Sequence, residues 1–291
     1  MTMSQTILVT GTSSGFGKLI VKTLAAEGHN VIATMRNTTT KNAEVAEELA
    51  AIGNVEVVEL DIANDESVND GLKSVLKKYG HIDILVNNAG VVGFGLFEAT
   101  SIAKMQAIFD INVWGTVRTT QAILPSMRQN KSGLIINITS GLGIFAAPFV
   151  TPYAMSKFAA EGLAEGLRTE VRPYGIQIVT IPAGPFPTGI DSKAAGFSAD
   201  KTDIMESYGL EAAAASERFG GEMVASIERT KADPQEIADA VLEIIKLKPG
   251  NRPNSVVVNR MGLGAEQKYL DSKPVYKQEM FDGIGWSEFA K

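Results

Sequence analysis

Short apolar runs recur along the chain at 6–10, 31–35, 55–60, 82–86, 134–139, 176–181 and 255–258. Between them lie stretches at 17–27, 42–52, 65–79, 104–127, 153–173 and 234–246 with apolar positions three and four apart. That spacing gives a helix one buried face, whereas the short runs suit strands buried on both sides. A strand and a helix every ~30 residues is the rhythm of a parallel sheet with helices on both faces. The pattern predicts an α/β fold, a doubly wound parallel sheet of seven strands, in one domain spanning 1–291. From 189 to 231 the rhythm breaks. No strand interrupts this stretch, which reads as a helical insertion forming a mobile lid over the end of the sheet. Asp233 is the expected N-cap of the helix that follows. The tail, 261–291, is mixed, and the pattern does not place it.

The polar positions fall at strand ends. The first strand runs into Thr10-Gly11-Thr12-Ser13-Ser14-Gly15-Phe16-Gly17 and then into a helix. Glycines let a backbone approach an anion closely, and a helix N-terminus offers free N–H groups and a favourable dipole. This turn, with Gly11, Ser13, Ser14, Gly15, Phe16 and Gly17, is a candidate diphosphate site. The second strand ends at Arg36 with no carboxylate beside it. An arginine there pairs with a 2′-phosphate, which favours NADP(H) over NAD(H). Asp61 and Ile62 follow the third strand, where the carboxylate either bonds an adenine amino group or caps the next helix. Asn88, Ala89 and Gly90 close the fourth strand, Ser140 the fifth, and Pro182, Gly184, Phe186 and Thr188 the sixth. Ligands of doubly wound sheets bind at this rim.

Composition narrows the chemistry. With 45% hydrophobic residues the 291-residue chain can fill one large core. A net charge of −6 argues against nucleic acid or an anionic membrane as partner. The absence of cysteine removes thiolate nucleophiles, disulfides and Cys-ligated metals. The two histidines, His29 and His81, each follow a glycine and read as surface turn residues, so a metal site has little to draw on. No stretch has the length of a membrane span, and the start has no basic segment followed by an apolar one. A soluble, cytoplasmic protein is expected.

Tyr153 and Lys157 are four apart at the start of a helical stretch, so their side chains share a face. An ammonium beside a phenol favours phenolate and would bring its pKa down toward neutrality, where a general acid/base works best. Asn112, inside a helical stretch, would ordinarily satisfy local backbone groups. Val91, Val92, Phe94, Phe145, Phe149 and Phe186 are candidates to line an apolar substrate pocket. Lys193, Lys201 and Arg218 in the insertion leave room for an anionic substrate.

In order and spacing these motifs resemble the short-chain dehydrogenase/reductase superfamily, in its single-domain branch, over about residues 4–260. Thr10-Gly11-x-x-x-Gly15-x-Gly17 is similar to that family's cofactor turn. Asn87-Asn88-Ala89-Gly90 matches its strand-four motif, and Ser140 stands thirteen residues before Tyr153 as its pattern expects. One departure is Ala183-Gly184 where the family usually has Pro-Gly. The resemblance implies a Rossmann-type sheet, bound NADP(H), and hydride transfer to or from a small-molecule carbonyl or alcohol, as in a carbonyl reductase. It implies a catalytic tetrad of Asn112, Ser140, Tyr153 and Lys157, with no metal. In it Lys157 also bonds the nicotinamide ribose, and Asn112 holds a water in a proton relay. It further implies a homodimer or homotetramer through the Asn112 and Tyr153 helices, where Ala154, Ala159 and Ala160 are small enough for close packing. Two other readings use related folds: an NADP-binding redox sensor without catalysis, and an epimerase or dehydratase acting on nucleotide sugars. The first typically loses the Tyr or the Lys, and the second has a different glycine spacing.

Overall fold

In a computed structural model, which describes residues 4–290, six strands form one parallel sheet in the order β3-β2-β1-β4-β5-β6. The strands are β1 (Thr6–Thr10), β2 (Asn30–Met35), β3 (Val55–Glu59), β4 (Ile84–Asn87), β5 (Gly133–Ile138) and β6 (Ile176–Ile181). The helices are α1 (Gly15–Ala26), α2 (Ala43–Ala50), α3 (Asp65–Tyr79), α4 (Ile102–Phe109), α5 (Thr116–Asn130), α6 (Thr151–Val171), α7 (Thr202–Ser207), α8 (Gly209–Thr230), α9 (Gln235–Lys246) and α10 (Ala265–Gly283).

Successive residues of a strand point to opposite faces, and β1 shows how this builds two cores. Ile7 and Val9 join Ile20 and Leu24 of α1 and Ile237 and Val241 of α9. Leu8 joins Leu72 of α3, Ile123 of α5 and Ala164 of α6 on the other face. Burial of each such side chain contributes about 1.5–3 kcal/mol, so both faces of the sheet hold their helices firmly. The strand order turns back on itself between β1 and β4, which opens a crevice at their carboxyl ends.

The expected seventh strand is only partly formed. Segment 254–258 runs parallel to β6, with Val256 N–H donating to Thr180 O (3.0 Å) and Gly184 N–H to Val258 O (2.9 Å). Pro182 lies between them and has no N–H to give, so the ladder is reduced to bridges at Thr180–Ser255 and Ala183–Val258.

Residues 104–127, expected as one helix, are α4, a π-helical turn (Asp110–Gly115) and α5. Asn112 lies in that turn. The insertion is helical as expected: a 3-10 turn (Ile190–Gly196), α7 and α8, with Ser226 the one buried residue of α8. Asp233 caps α9, its Oδ1 accepting from Gln235 N–H at 2.9 Å, while Glu236 Oε1 accepts from Asp233 N–H at 3.0 Å. The tail folds as α10, and its Lys273 pairs with Glu165 of α6.

His29 is a correction. It is buried, its Nδ1 accepts from the Gln5 N–H at 3.3 Å, and burial lowers its pKa. It is a neutral pin under the start of β1, whereas His81 is exposed and pairs with Asp83 at 3.2 Å.

Candidate active site

The turn after β1 is pressed against the end of β4. Gly11 has φ +71°, and a Cβ there would lie 2.7 Å from Ala89 Cα. A Cβ on Gly17 would lie 2.3 Å from Gly11 O and 2.5 Å from Asn88 Nδ2. Asn88 Nδ2 donates to Thr10 O (2.8 Å) and Gly11 O (3.1 Å), and the N–H groups of Asn88 and Ala89 donate to Thr10 Oγ1. The Asn88 amide therefore shapes the glycine turn. Beneath it, Asn87 is bonded by Thr119 Oγ1 and donates to Thr120 Oγ1 and Asn137 Oδ1, a closed buried network.

A cavity of about 850 Å³ follows the carboxyl ends of the strands. Its walls include Gly11, Ser13, Ser14, Gly15 and Phe16 of the turn, then Arg36, Asp61 and Ile62, then Asn88, Ala89 and Gly90. Ser140, Tyr153, Lys157, Gly184, Phe186 and Thr188 complete the predicted set on the wall. Three predicted residues lie behind it: Gly17 under the turn, Pro182 in the broken edge ladder, and Asn112 in the π turn. Sequence reasoning missed Lys41, Phe219, Asn259 and Glu266, which also line the cavity. Arg36 NH1 lies 3.6 Å from Asp61 Oδ2, and Asn42 Nδ2 donates to Arg36 O at 2.6 Å. With Asn37 at φ 56°, this folds the loop after β2 so that Arg36 and Lys41 flank the same end of the cavity.

Ser140, Tyr153 and Lys157 meet at the other end. The Ser140 hydroxyl bonds the Tyr153 phenol and accepts from Leu142 N–H at 3.1 Å. Lys157 Nζ lies 5.6 Å from the Tyr153 ring centre and donates to Ile138 O at 3.2 Å. The expected lowering of the Tyr153 pKa is not found. Burial pushes the phenol up to about 12, the Ser140 bond offsets part of this, and the charge of Asp191 adds to it. Burial also brings Lys157 down to about 8, although the negative charge of Glu161 holds it up. The ammonium lies against the ring rather than at the oxygen, and desolvation outweighs its field.

The Asn112 side chain forms a strut. Its Oδ1 accepts from Val91 N–H (2.8 Å), and its Nδ2 donates to Val91 O (2.9 Å) and Ser156 Oγ (3.0 Å). Ser156 Oγ in turn donates to Tyr153 O at 2.6 Å. The loop after β4 is thereby tied to the turn of α6 that carries Tyr153. These bonds engage the amide that was expected to hold a relay water.

The apolar wall holds Val91, Val92, Phe94, Phe145 and Phe186, joined by Phe219, Met223 and Ile227 from α8. Phe16 and Phe186 meet edge to face at 5.4 Å across the glycine turn. Phe149 is off the wall, at φ 62° with its ring 5.8 Å from Phe219. Lys201 donates to Glu98 O and Arg218 is exposed, both away from the cavity; the Lys193 side chain lies outside the described residues. Among the described residues no helix is long and apolar enough to cross a membrane.

Known proteins resemble this chain in sequence and fold. The family described as short chain dehydrogenase matches residues 5–197. A 3-ketodihydrosphingosine reductase of Bacteroides thetaiotaomicron is 32% identical over 250 residues, 84% of this chain and 84% of that protein. Among solved structures, a short-chain dehydrogenase from Streptomyces avermitilis superposes with a TM-score of 0.77 at 28% identity, covering 97% of this chain and 98% of that one. An alcohol dehydrogenase from the archaeon Thermococcus sibiricus, complexed with 5-hydroxy-NADP, superposes with a TM-score of 0.70 at 25% identity, covering 88% and 96%.

Proposed function

The chain belongs to the short-chain dehydrogenase family, and from that premise we propose an NADP-dependent enzyme that interconverts a carbonyl and a secondary alcohol, with Tyr153 as the general acid/base. At the coarser level it is a nicotinamide-dependent oxidoreductase acting on a small molecule. The observation that carries the proposal is the convergence of Ser140, Tyr153 and Lys157 at one end of a cavity whose middle is a glycine cradle. The residues fit a dinucleotide. Gly11, Gly15 and Gly17 keep open or flat the space that side chains would fill, and two cations flank the far end. Arg36 and Lys41 are assigned to a 2′-phosphate, in keeping with the NADP analogue in the archaeal relative.

When bound, the nicotinamide supplies or accepts the hydride. Tyr153, protonated throughout the neutral range, donates its proton to the carbonyl oxygen as negative charge develops there. The Ser140 hydroxyl bonds the same oxygen, a dipole already in place before the reaction. Lys157, charged below about pH 8, offsets the phenolate that Tyr153 becomes and then returns a proton toward it. The strut through Asn112 and Ser156 holds Tyr153 against the loop after β4. Burial, which holds the phenol up at about 12, sets Tyr153 as a proton donor. The apolar wall suits a carbonyl compound with a bulky hydrocarbon body.

A second copy of the chain is assigned to the outer face of α6. Ala154 and Ala160 are buried within the chain, and the free face carries Met155, Phe158, Gly162 and Gly166, with Trp114 of the π turn exposed as well. Light scattering should give a dimer or tetramer that Phe158→Glu dissociates.

The test of the reaction is NADPH oxidation against a panel of ketones, aldehydes, quinones and steroid carbonyls, with Tyr153→Phe as control. Turnover should fall by about 10³ in the variant while NADPH binding is kept. Full activity in Tyr153→Phe would remove the phenol from the mechanism.

A further inference from the structure

Glu266 is the acidic residue of the first turn of α10, a position that is ordinarily solvated. Here it is only 6% exposed and lies on the cavity wall. Its Oε1 accepts from Asn259 Nδ2 at 2.5 Å. Its Oε2 is the buried side-chain oxygen that has no hydrogen-bond partner among the described residues. Three chain segments give up side chains to make room for this pair. A Cβ on Gly141 would lie 2.9 Å from Glu266 Oε1, one on Gly262 would lie 1.9 Å from Oε2, and one on Gly184 would lie 2.3 Å from Asn259 Oδ1. Gly141 directly follows Ser140, so the carboxylate stands one residue from the hydroxyl that faces the reacting oxygen.

A buried carboxyl oxygen without a hydrogen-bond partner is costly, and a site that keeps one has a use for it. Charge along the cavity is divided. The described cations at its far end are Arg36 and Lys41, both spoken for by the cofactor phosphate in the reading above. At the reacting end the walls carry Asp191 and Glu266, and the one described cation, Lys157, already donates to Ile138 O. That end lacks a positive group for Glu266.

We propose that Glu266 receives a protonated amine of the substrate, so that the enzyme acts on an amphipathic amino ketone or amino alcohol whose ammonium lies within a few bonds of the reacting carbon. The assignment rests on the oxidoreductase reading for the identity of the reacting end. The rest of the substrate lies along the apolar wall of Leu142, Phe145, Phe186 and Phe219. Asn259, also on the cavity wall, holds the carboxylate in place through its bond to Oε1.

The test compares 2-amino-1-phenylpropan-1-ol with 1-phenylpropan-1-ol, which lacks only the amine, by calorimetry on protein loaded with NADP⁺. The amine should bind at least about tenfold more tightly, the effect of one charge-assisted bond. Glu266→Gln should remove the preference. Equal affinities in the wild type, or a preference that survives Glu266→Gln, would overturn the proposal. If Glu266→Gln does not fold, the wild type alone decides, because the preference must disappear once pH passes the pKa of the free amine and a preference unchanged there refutes it. Reduction of 1-phenylpropan-1-one by NADPH tests the oxidoreductase reading separately. Turnover of that ketone without an amine preference would keep the reading and refute the role of Glu266. An amine preference without turnover of that ketone or of 2-amino-1-phenylpropan-1-one would support Glu266 and refute the reading.

Discussion

The Lys157 ammonium stands over the face of the Tyr153 ring, 5.6 Å from its centre, and its hydrogen bond goes to Ile138 O. The pair is adjacent as its i, i+4 spacing requires, but burial governs both pKa values, raising the phenol and lowering the amine.

Lys157 therefore makes stability depend on pH. Its folded pKa, about 8, is below the ordinary 10.5, so the folded protein binds this proton less tightly than the unfolded chain does. The penalty is fully present below about pH 8 and is relieved as pH rises toward 10.5. The difference in unfolding free energy between Lys157→Met and wild type should be largest near pH 7, on the order of 2 kcal/mol in favour of the variant. It should shrink by pH 10. Urea melts of the cofactor-free proteins at the two pH values measure it, and a difference that does not change with pH would contradict the buried, depressed lysine. The variant should be inactive despite its added stability.

Arg36 and Lys41 set cofactor choice in the proposed reading. Arg36→Asp should turn the NADPH/NADH ratio of kcat/KM toward NADH. Lys41→Ala should weaken NADPH by about tenfold and leave NADH unaffected. Arg36 is more than half exposed, so the NADPH preference should also fall with added salt. Steady-state kinetics with both cofactors decide, and an unmoved ratio in Arg36→Asp would take the phosphate away from that residue.

Gly17→Ala puts a methyl 2.3 Å from the Gly11 carbonyl, a backbone atom that moves only with the turn. NADPH affinity should fall by more than about tenfold, roughly the loss of one strong phosphate contact. Gly220→Ala on α8 is the control, because nothing lies within 4 Å of its added Cβ. It should bind NADPH normally and melt at the same or a slightly higher temperature, since alanine is the better helix former by about 1 kcal/mol. Fluorescence titration with NADPH separates the two.

Asn112→Ala removes three hydrogen bonds and leaves the buried N–H and C=O of Val91 unpaired. The loss should be about 2–4 kcal/mol in stability. With the strut gone, kcat should fall more than NADPH affinity. Asn112→Asp, nearly the same shape, should do comparable harm, because an oxygen would then face Val91 O. An Asn112→Asp protein with wild-type melting and kcat would show that the amide donor is dispensable.

What the sequence made legible was local. The strand–helix rhythm, the glycine turn and the Tyr153–Lys157 spacing all follow from periods of two or four residues, and each has its place in the structure. The break at Pro182 was readable in principle, since a proline beside a strand cannot donate to its neighbour. Distant contacts were not. Glu266 looks like an ordinary first-turn acid until the fold brings Gly141, Gly184 and Gly262 around it. Lys41 sits in a polar loop whose direction depends on the left-handed backbone at Asn37. His29 follows a glycine as a surface residue would, and only the depth of the turn beneath β1 buries it. The spacing of Tyr153 and Lys157 fixed their proximity but not their dielectric surroundings, which is why the expected direction of the tyrosine shift failed.

The glycine-lined meeting of Gly141, Gly184 and Gly262 also bears on how the protein is made. Glu266 leaves the ribosome after every strand of the sheet and after Ser140, Tyr153 and Lys157. A nascent chain can therefore form the dinucleotide cradle while the reacting end is still missing a wall and open to water. In the proposed reading, the wall that selects the substrate is completed only when α10 docks.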